Sequence, residues 1–309
     1  MVGCAGAGSV SSRRIVAAAG VVAALLGCGA PARDAGTATI APFITVDDFG
    51  DTLRLAAPAT RVVSLNPNTT ELVFALGYGD RLVGRTSWDL YPAAARAVPS
   101  VGDGMQPNVE AVLGQRPELV LLYASASNRA AVQQLRAAGV ATLTLRTDHV
   151  ADLARIAPVI AAALGDSTRG ALATDTVVAV LDSLRNLPRA IEPRRVFWHI
   201  WDAPLMTIGR GSYLSELIDI AGAENVFDDI AAPSPQVSLE EVARRDPYAI
   251  LAGPNSAATI RAHPGWQAVR AVREGRVFVV DTTLVGRPGV RMGEAARHLR
   301  ALILGDSAR

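Results

Sequence analysis

Lysine is absent from this 309-residue chain: all 30 basic residues are arginine, set against 29 acids. That near balance, with no basic stripe, excludes the electrostatic footprint of a nucleic-acid binder. Histidine is scarce. His149, His199, His263 and His298 are too scattered for a converging ligand set, so no metal site and no cofactor are expected. They are also unaccompanied by a Gly-x-Ser-x-Gly elbow or a His-Glu-x-x-His pair, which leaves an α/β hydrolase as an alternative without its nucleophile. Gly209-Arg-Gly211-Ser212 lacks the Gly-Lys-Ser/Thr ending of a phosphate loop and reads as a tight turn before a helix. No enzymatic activity is expected.

Long hydrophobic runs are missing as well. The longest, Ile15 to Leu26, follows Arg13 and Arg14 and is too short to span a bilayer as a stable helix. It ends in Leu25-Leu26-Gly27-Cys28, a small residue before cysteine. Residues 1–27 therefore read as an export signal and Cys28 as the lipid-bearing first residue of the mature chain, similar to bacterial lipoprotein signals. Cys4 falls in the removed piece, so the mature domain has no thiol free for a disulfide or a metal. Removal also takes Arg13 and Arg14 but no acid, leaving 28 basic against 29 acidic residues. Residues 28–43 read as a flexible, lipid-anchored leash.

What is present is a duplication. Asn108-Val-Glu110-Ala-Val112 leads to Pro117 and an apolar run at Leu119–Leu122; Ser238-Leu-Glu240-Glu-Val242 leads to Pro247 and Ala249–Ala252. Each unit opens on an N-cap residue, carries an acid in the first turn where the helix dipole favours it, and stops at proline. The echo extends outward. Arg61-Val-Val-Ser-Leu65 is answered by Arg195-Val-Phe-Trp-His-Ile200, and Glu71 to Gly77 by Glu216 to Gly222. The reading is two similar α/β lobes, residues 44–148 and 189–309, each with a mostly parallel sheet flanked by helices. Ile44 to Leu55 alternates as a hairpin, and Asn68 to Glu71 has the spacing of a capping box before a helix from Thr69. Residues 149–188 read as a long rigid interlobe helix, broken or unbroken at Gly165-Asp166, or as two helices of one lobe.

Arg61-Val-Val-Ser-Leu-Asn66-Pro67-Asn-Thr-Thr-Glu71-Leu-Val-Phe-Ala-Leu-Gly77 and Pro233-Ser-Pro-Gln236-Val-Ser238-Leu-Glu240 together resemble the class III substrate-binding proteins of ABC importers for vitamin B12, ferric siderophores and haem, closest to the cobalamin-binding branch. The resemblance, from about Ile44 to Leu304, implies a monomeric periplasmic or extracytoplasmic binding protein. It would hold a corrinoid or another metal chelate between its lobes and deliver it to a permease and its ATPase. The membrane would be met only through the lipid anchor. By the same resemblance Glu110 and Glu240 dock on the permease. The expected cleft residues are Asn66, Trp88, Tyr91 and Tyr123 from lobe one, with Trp201, Met206, Arg287 and Arg291 from lobe two. Aromatic faces and methionine suit a large flat ligand, and arginine suits an anionic one. Two aromatic positions of the cobalamin branch stand here as Gly104 and Ser234, which keeps ferric siderophore and haem as alternatives.

Substituting Cys28→Ala should abolish lipid attachment and shift the protein out of the membrane fraction. Unchanged gel mobility and unchanged membrane association would remove the anchor.

Overall fold

The computed structural model describes residues 42–305. The signal segment, Cys28 and nearly all of the leash lie outside the described residues. A hairpin of β1 (Phe43–Val46) and β2 (Thr52–Leu55) pairs Phe43 with Leu55, and the alternating pattern turns Leu53 and Leu55 inward. Lobe one follows as β3 (Val62–Ser64), α1 (Pro67–Ala75), β4 (Leu82–Gly84), α2 (Val109–Gly114), β5 (Leu119–Tyr123), α3 (Arg129–Ala137) and β6 (Ala141–Leu145). Two helices come next, α4 (Asp152–Ala163) and α5 (Thr168–Arg185). Lobe two contains β7 (Arg195–Trp198), β8 (Trp201–Asp202), β9 (Leu205–Met206), α6 (Tyr213–Ile220), β10 (Glu224–Asn225) and α7 (Leu239–Arg245). It continues with β11 (Ala249–Ala252), α8 (Pro254–Ala262), α9 (Arg270–Arg273), β12 (Val277–Val279), α10 (Thr282–Val285) and α11 (Met292–Leu304).

The duplication is topological. Lobe one is a parallel sheet of order β4-β3-β5-β6 and lobe two a parallel sheet of order β10-β7-β11-β12, so the same strand of each unit sits in the same place. The capped helices match in detail. Asn108 accepts from the Ala111 N–H at 3.0 Å and Ser238 from the Glu241 N–H at 3.1 Å. Among the described residues, only Arg116 and Asp246 are non-glycine with positive φ, and each stands just before the proline that ends its unit. Proline disfavours the right-handed helical conformation in the residue before it, so the chain leaves the helix at the same step in both lobes. Leu119–Leu122 and Ala249–Ala252 are wholly buried, as strands covered on both faces must be.

The stretch 149–188 is not one rod. Its break comes at Gly165, whose φ of +105° a side chain would resist, and the helices on either side pack against each other. Helix α4 lies against α1 and β1 of lobe one, and α5 against α6 and α11 of lobe two. One apolar cluster runs through this junction from Leu119 and Leu121 to Val196, Trp198 and Leu251, while the outer face of each sheet has its own smaller core. Stiffness between the lobes therefore resides in a shared core.

The start of α1 also differs from the capping-box expectation. Asn66 is the N-cap, accepting from the Asn68 N–H at 3.3 Å, and Pro67 takes the first helical position where its missing N–H costs nothing. Asn68 is buried inside the first turn, and Glu71 faces away from the cap toward lobe two.

A Cβ on Gly170 would stand 2.5 Å from the Pro158 backbone at the α4–α5 crossing. Gly170→Ala should therefore lower stability by about 1–3 kcal/mol, read as a lower urea midpoint at unchanged slope.

Candidate functional site

In a parallel sheet the loops leaving the strands gather at the carboxyl edge, where ligands bind. Here both lobes turn such loops toward one cleft of about 740 Å³. Lobe one supplies Asn66 and Asn68 after β3, Trp88 after β4, Tyr123 at the end of β5, and Asp148 and His149 after β6. Lobe two supplies Ser212 after the β8–β9 hairpin, Ser234 after β10, and Arg287 with Pro288 after β12. A second cavity of about 270 Å³ adjoins it on lobe one and shares Asn66, Trp88 and Tyr123. Gly104 lines that cavity. Its backbone rests on Leu65 so closely that a Cβ would meet the Leu65 carbonyl oxygen at 2.1 Å, which bars a side chain there.

Of the expected cleft residues, Asn66, Trp88, Tyr123 and Arg287 come together. Trp88 remains 60% exposed, a free aromatic face over the cavity. Four expected residues line neither cavity. Arg291 is drawn instead onto Glu71 of α1, donating from Nε at 2.9 Å and from its NH2 group at 2.8 Å, with a further bond to the Thr283 carbonyl. Tyr91 lies under that guanidinium, 4.2 Å from ring centre to carbon, so it supports the arginine. Trp201 and Met206 pair across the β8–β9 hairpin, where Trp201 is 62% exposed and its Nε1 donates to the Ala203 carbonyl. Strand β7 ends at Trp198 and His199 and Ile200 belong to no strand, so the alternation that had set Trp201 toward the cleft does not carry across; Trp198 is core.

Polar contacts join the lobes on both sides of the cleft, and Asn68 Nδ2 also donates to the Pro288 carbonyl at 3.4 Å. Glu71, 1% exposed, receives both Arg291 and Arg287, whose second terminal nitrogen bonds the Trp88 carbonyl. Across the other end, His149 Nδ1 lies 2.6 Å from Glu216 of α6, and the Val150 N–H donates to the same carboxylate at 2.9 Å. That hydrogen bond to Glu216 raises the His149 pKa. On the cavity wall the Tyr123 hydroxyl donates to Asp148 at 2.5 Å; burial first, then this carboxylate, pushes its pKa up to about 12. The phenol is thereby held as a hydrogen-bond donor to Asp148. Nearby, Asp89 accepts from Thr70 and Thr86, with its pKa raised by burial. Among the described residues no group of three or more His, Cys, Asp or Glu is placed to hold a metal ion, and no helix is long and apolar enough to cross a membrane.

Sequence reasoning missed Asn68, Asp148, His149 and Ser212. The missing signal was positional: each follows a strand at its carboxyl end or opens the next helix there. Glu110 and Glu240 lie exposed in the first turns of α2 and α7, which run against the strands that follow them, so both stand at the cleft edge of their lobes. Neither takes part in an ion pair among the described residues. Hydrogen bonding at the helix start, from its own N–H and then from Ser238, lowers the Glu240 pKa.

Known proteins share this architecture. Residues 62–284 match the periplasmic binding protein family. The uncharacterized ABC transporter substrate-binding lipoprotein YvrC of Bacillus subtilis is 30% identical over 309 residues, covering 94% of this chain and 98% of its own. The crystal structure of the periplasmic vitamin B12 binding protein BtuF of Vibrio cholerae superposes with a TM-score of 0.70 at 26% identity, covering 80% of this chain and 97% of that one. The periplasmic heme-binding protein RhuT of Roseiflexus sp. RS-1 does so with a TM-score of 0.73 at 26% identity, covering 81% and 100%. With two equivalent lobes closing on one cleft and a match over most of its length, this chain belongs to the periplasmic binding protein family, as a non-enzymatic substrate-binding protein of an ABC transporter.

Proposed function

We propose that this protein captures a large metal-chelate nutrient, a corrinoid such as cobalamin, between its lobes outside the cytoplasm and hands it to an ABC permease and its ATPase. The observation that carries this reading is the cleft itself. About 740 Å³ of open space lies at the carboxyl edges of both sheets, within the roughly 300–1,000 Å³ of small-molecule pockets. Trp88 offers a flat face to a macrocycle, and the side cavity beneath Gly104 gives room that an aromatic residue would fill. The relatives named for vitamin B12 and for haem bracket the ligand class.

A ferric siderophore or haem is the second reading, favoured by Arg287 in the cavity wall. Its guanidinium is only partly committed to Glu71 and suits an anionic group by charge-assisted hydrogen bonds. The placement of Tyr91 under Arg291 and outside the cavity lining weighs against iron ligation by that residue.

Delivery rests on Glu110 and Glu240. A matched pair of unpaired carboxylates, one per lobe, suits a pseudo-symmetric permease face bearing arginine, where opposite charges orient the encounter. Lipid attachment at Cys28 would keep the protein near that permease, in keeping with the relative named as a lipoprotein.

Titration with cyanocobalamin, haem and several ferric siderophores should give quenching of tryptophan fluorescence by at least one of them, and Trp88→Ala should weaken that ligand about tenfold. No binding by any member of the panel would sink the proposal. Glu110→Ala combined with Glu240→Ala should leave ligand affinity within about twofold and weaken docking to reconstituted permease about tenfold at low salt. Parallel loss of both properties would refute the division of labour.

A further inference from the structure

Trp88 stands on a loop with little apolar footing. Of residues 87–91, which follow β4, only Asp89 is buried; Ser87, Trp88, Leu90 and Tyr91 are exposed. The footing is a set of hydrogen bonds to Asp89. One carboxylate oxygen accepts from the Thr70 hydroxyl of α1 at 2.6 Å and from the Thr86 N–H at 3.2 Å, and the other accepts from the Thr86 hydroxyl at 2.5 Å. That hydroxyl in turn accepts from the Trp88 N–H at 3.2 Å. Hydrogen bonds therefore connect the Trp88 backbone, through Thr86 and Asp89, to α1, and each polarises the next. The Trp88 carbonyl is tied separately, by Arg287 of lobe two.

A carboxylate is a costly anchor for a loop. Burial raises the Asp89 pKa, so desolvation outweighs what the threonine donors return. An apolar side chain would fill the same space without that cost, but it would not fix the angle of the backbone beside it. Three donors from two elements do fix it. They thereby set the residue whose ring is 60% exposed at the cavity, and a face already in place binds without first having to be ordered.

We infer that Asp89 is a positioning residue of the capture site: with Thr70 and Thr86 it holds the Trp88 backbone, so that the indole meets a flat macrocycle already in place. This rests on the capture role proposed above, in which Trp88 supplies the aromatic face. Asp89 lines neither cavity, whereas Trp88 lines both.

The test labels the protein with 5-fluorotryptophan, so that fluorine resonances report the four tryptophans separately, the Trp88 line being the one lost in Trp88→Phe. In Asp89→Ala the Trp88 line should move or broaden while those of the buried Trp198 and Trp266 stay where they are. Cyanocobalamin and haem are titrated in parallel, and affinity for the tighter of the two should fall about three- to tenfold. In a Trp88→Ala background the same substitution should change that affinity by less than about twofold, because effects passing through one contact do not add. Thr70→Val keeps the buried shape and removes one donor. It should also move the Trp88 line, and it carries the test if Asp89→Ala does not fold. An unmoved Trp88 line, or an equal loss of affinity with and without Trp88, would overturn the inference and leave ligand capture standing. A Trp88→Ala protein that binds as tightly as wild type would overturn it together with the aromatic face assigned to Trp88. Binding of neither cyanocobalamin nor haem would overturn it together with capture of a macrocycle.

Discussion

The working geometry depends on one buried carboxylate. Glu71 leaves α1 of lobe one and receives two arginines from the loop between α10 and α11 of lobe two, out of water. A buried ion group of this kind adds little net stability, because desolvation offsets much of the attraction; what it does well is select one arrangement over others. Here the selected arrangement is the mutual position of the lobes. Moving the lobes apart would part this carboxylate from both guanidinium groups. Arg287 reports this state directly to the cavity, since the same side chain bonds Glu71, holds the Trp88 carbonyl and lines the wall.

The apolar interior points the same way. A cluster continuous from the inner face of one sheet, through α4 and α5, to the inner face of the other cannot open like a hinge without exposing core surface. Ligand capture in this chain is therefore a matter of side chains and loops adjusting over a nearly fixed gap. The His149–Glu216 contact at the opposite end of the cleft fits that scale of motion, being half exposed and made by single side chains. A preformed cleft limits the ordering entropy lost on binding. The same shared core sets the separation of the two exposed acids, Glu110 and Glu240.

Much of the fold was legible in the chain. The twin caps at Asn108 and Ser238, the prolines at 117 and 247 and the wholly apolar strands are signals read within a single turn or strand, and all reappear with matching hydrogen bonds. The candidate site was partly legible. Asn66, Trp88, Tyr123 and Arg287, picked by residue type and place after a strand, line the cleft. Tyr91, Trp201, Met206 and Arg291, picked in the same way, line neither cavity. Arg291 bonds a carboxylate 220 residues away, and Trp201 lies past the end of β7, where strand alternation no longer applies. Asn68 was hidden because an asparagine before a helix looks like its cap, and the actual cap is two residues earlier.

By itself the sequence determined two similar halves, the ends of their helices and the strands that must be buried from both sides. These follow from short-range sterics, helix-end hydrogen bonding and apolar periodicity, which act over a few residues. Only the tertiary structure decided that Glu71 clasps the lobes, that the connection is a bent pair of helices sharing one core, and that Asn68 and Asn128 are buried with an amide oxygen unpartnered. Those outcomes depend on groups far apart in the chain being brought within hydrogen-bond reach, and on which of their atoms the packing leaves without a partner.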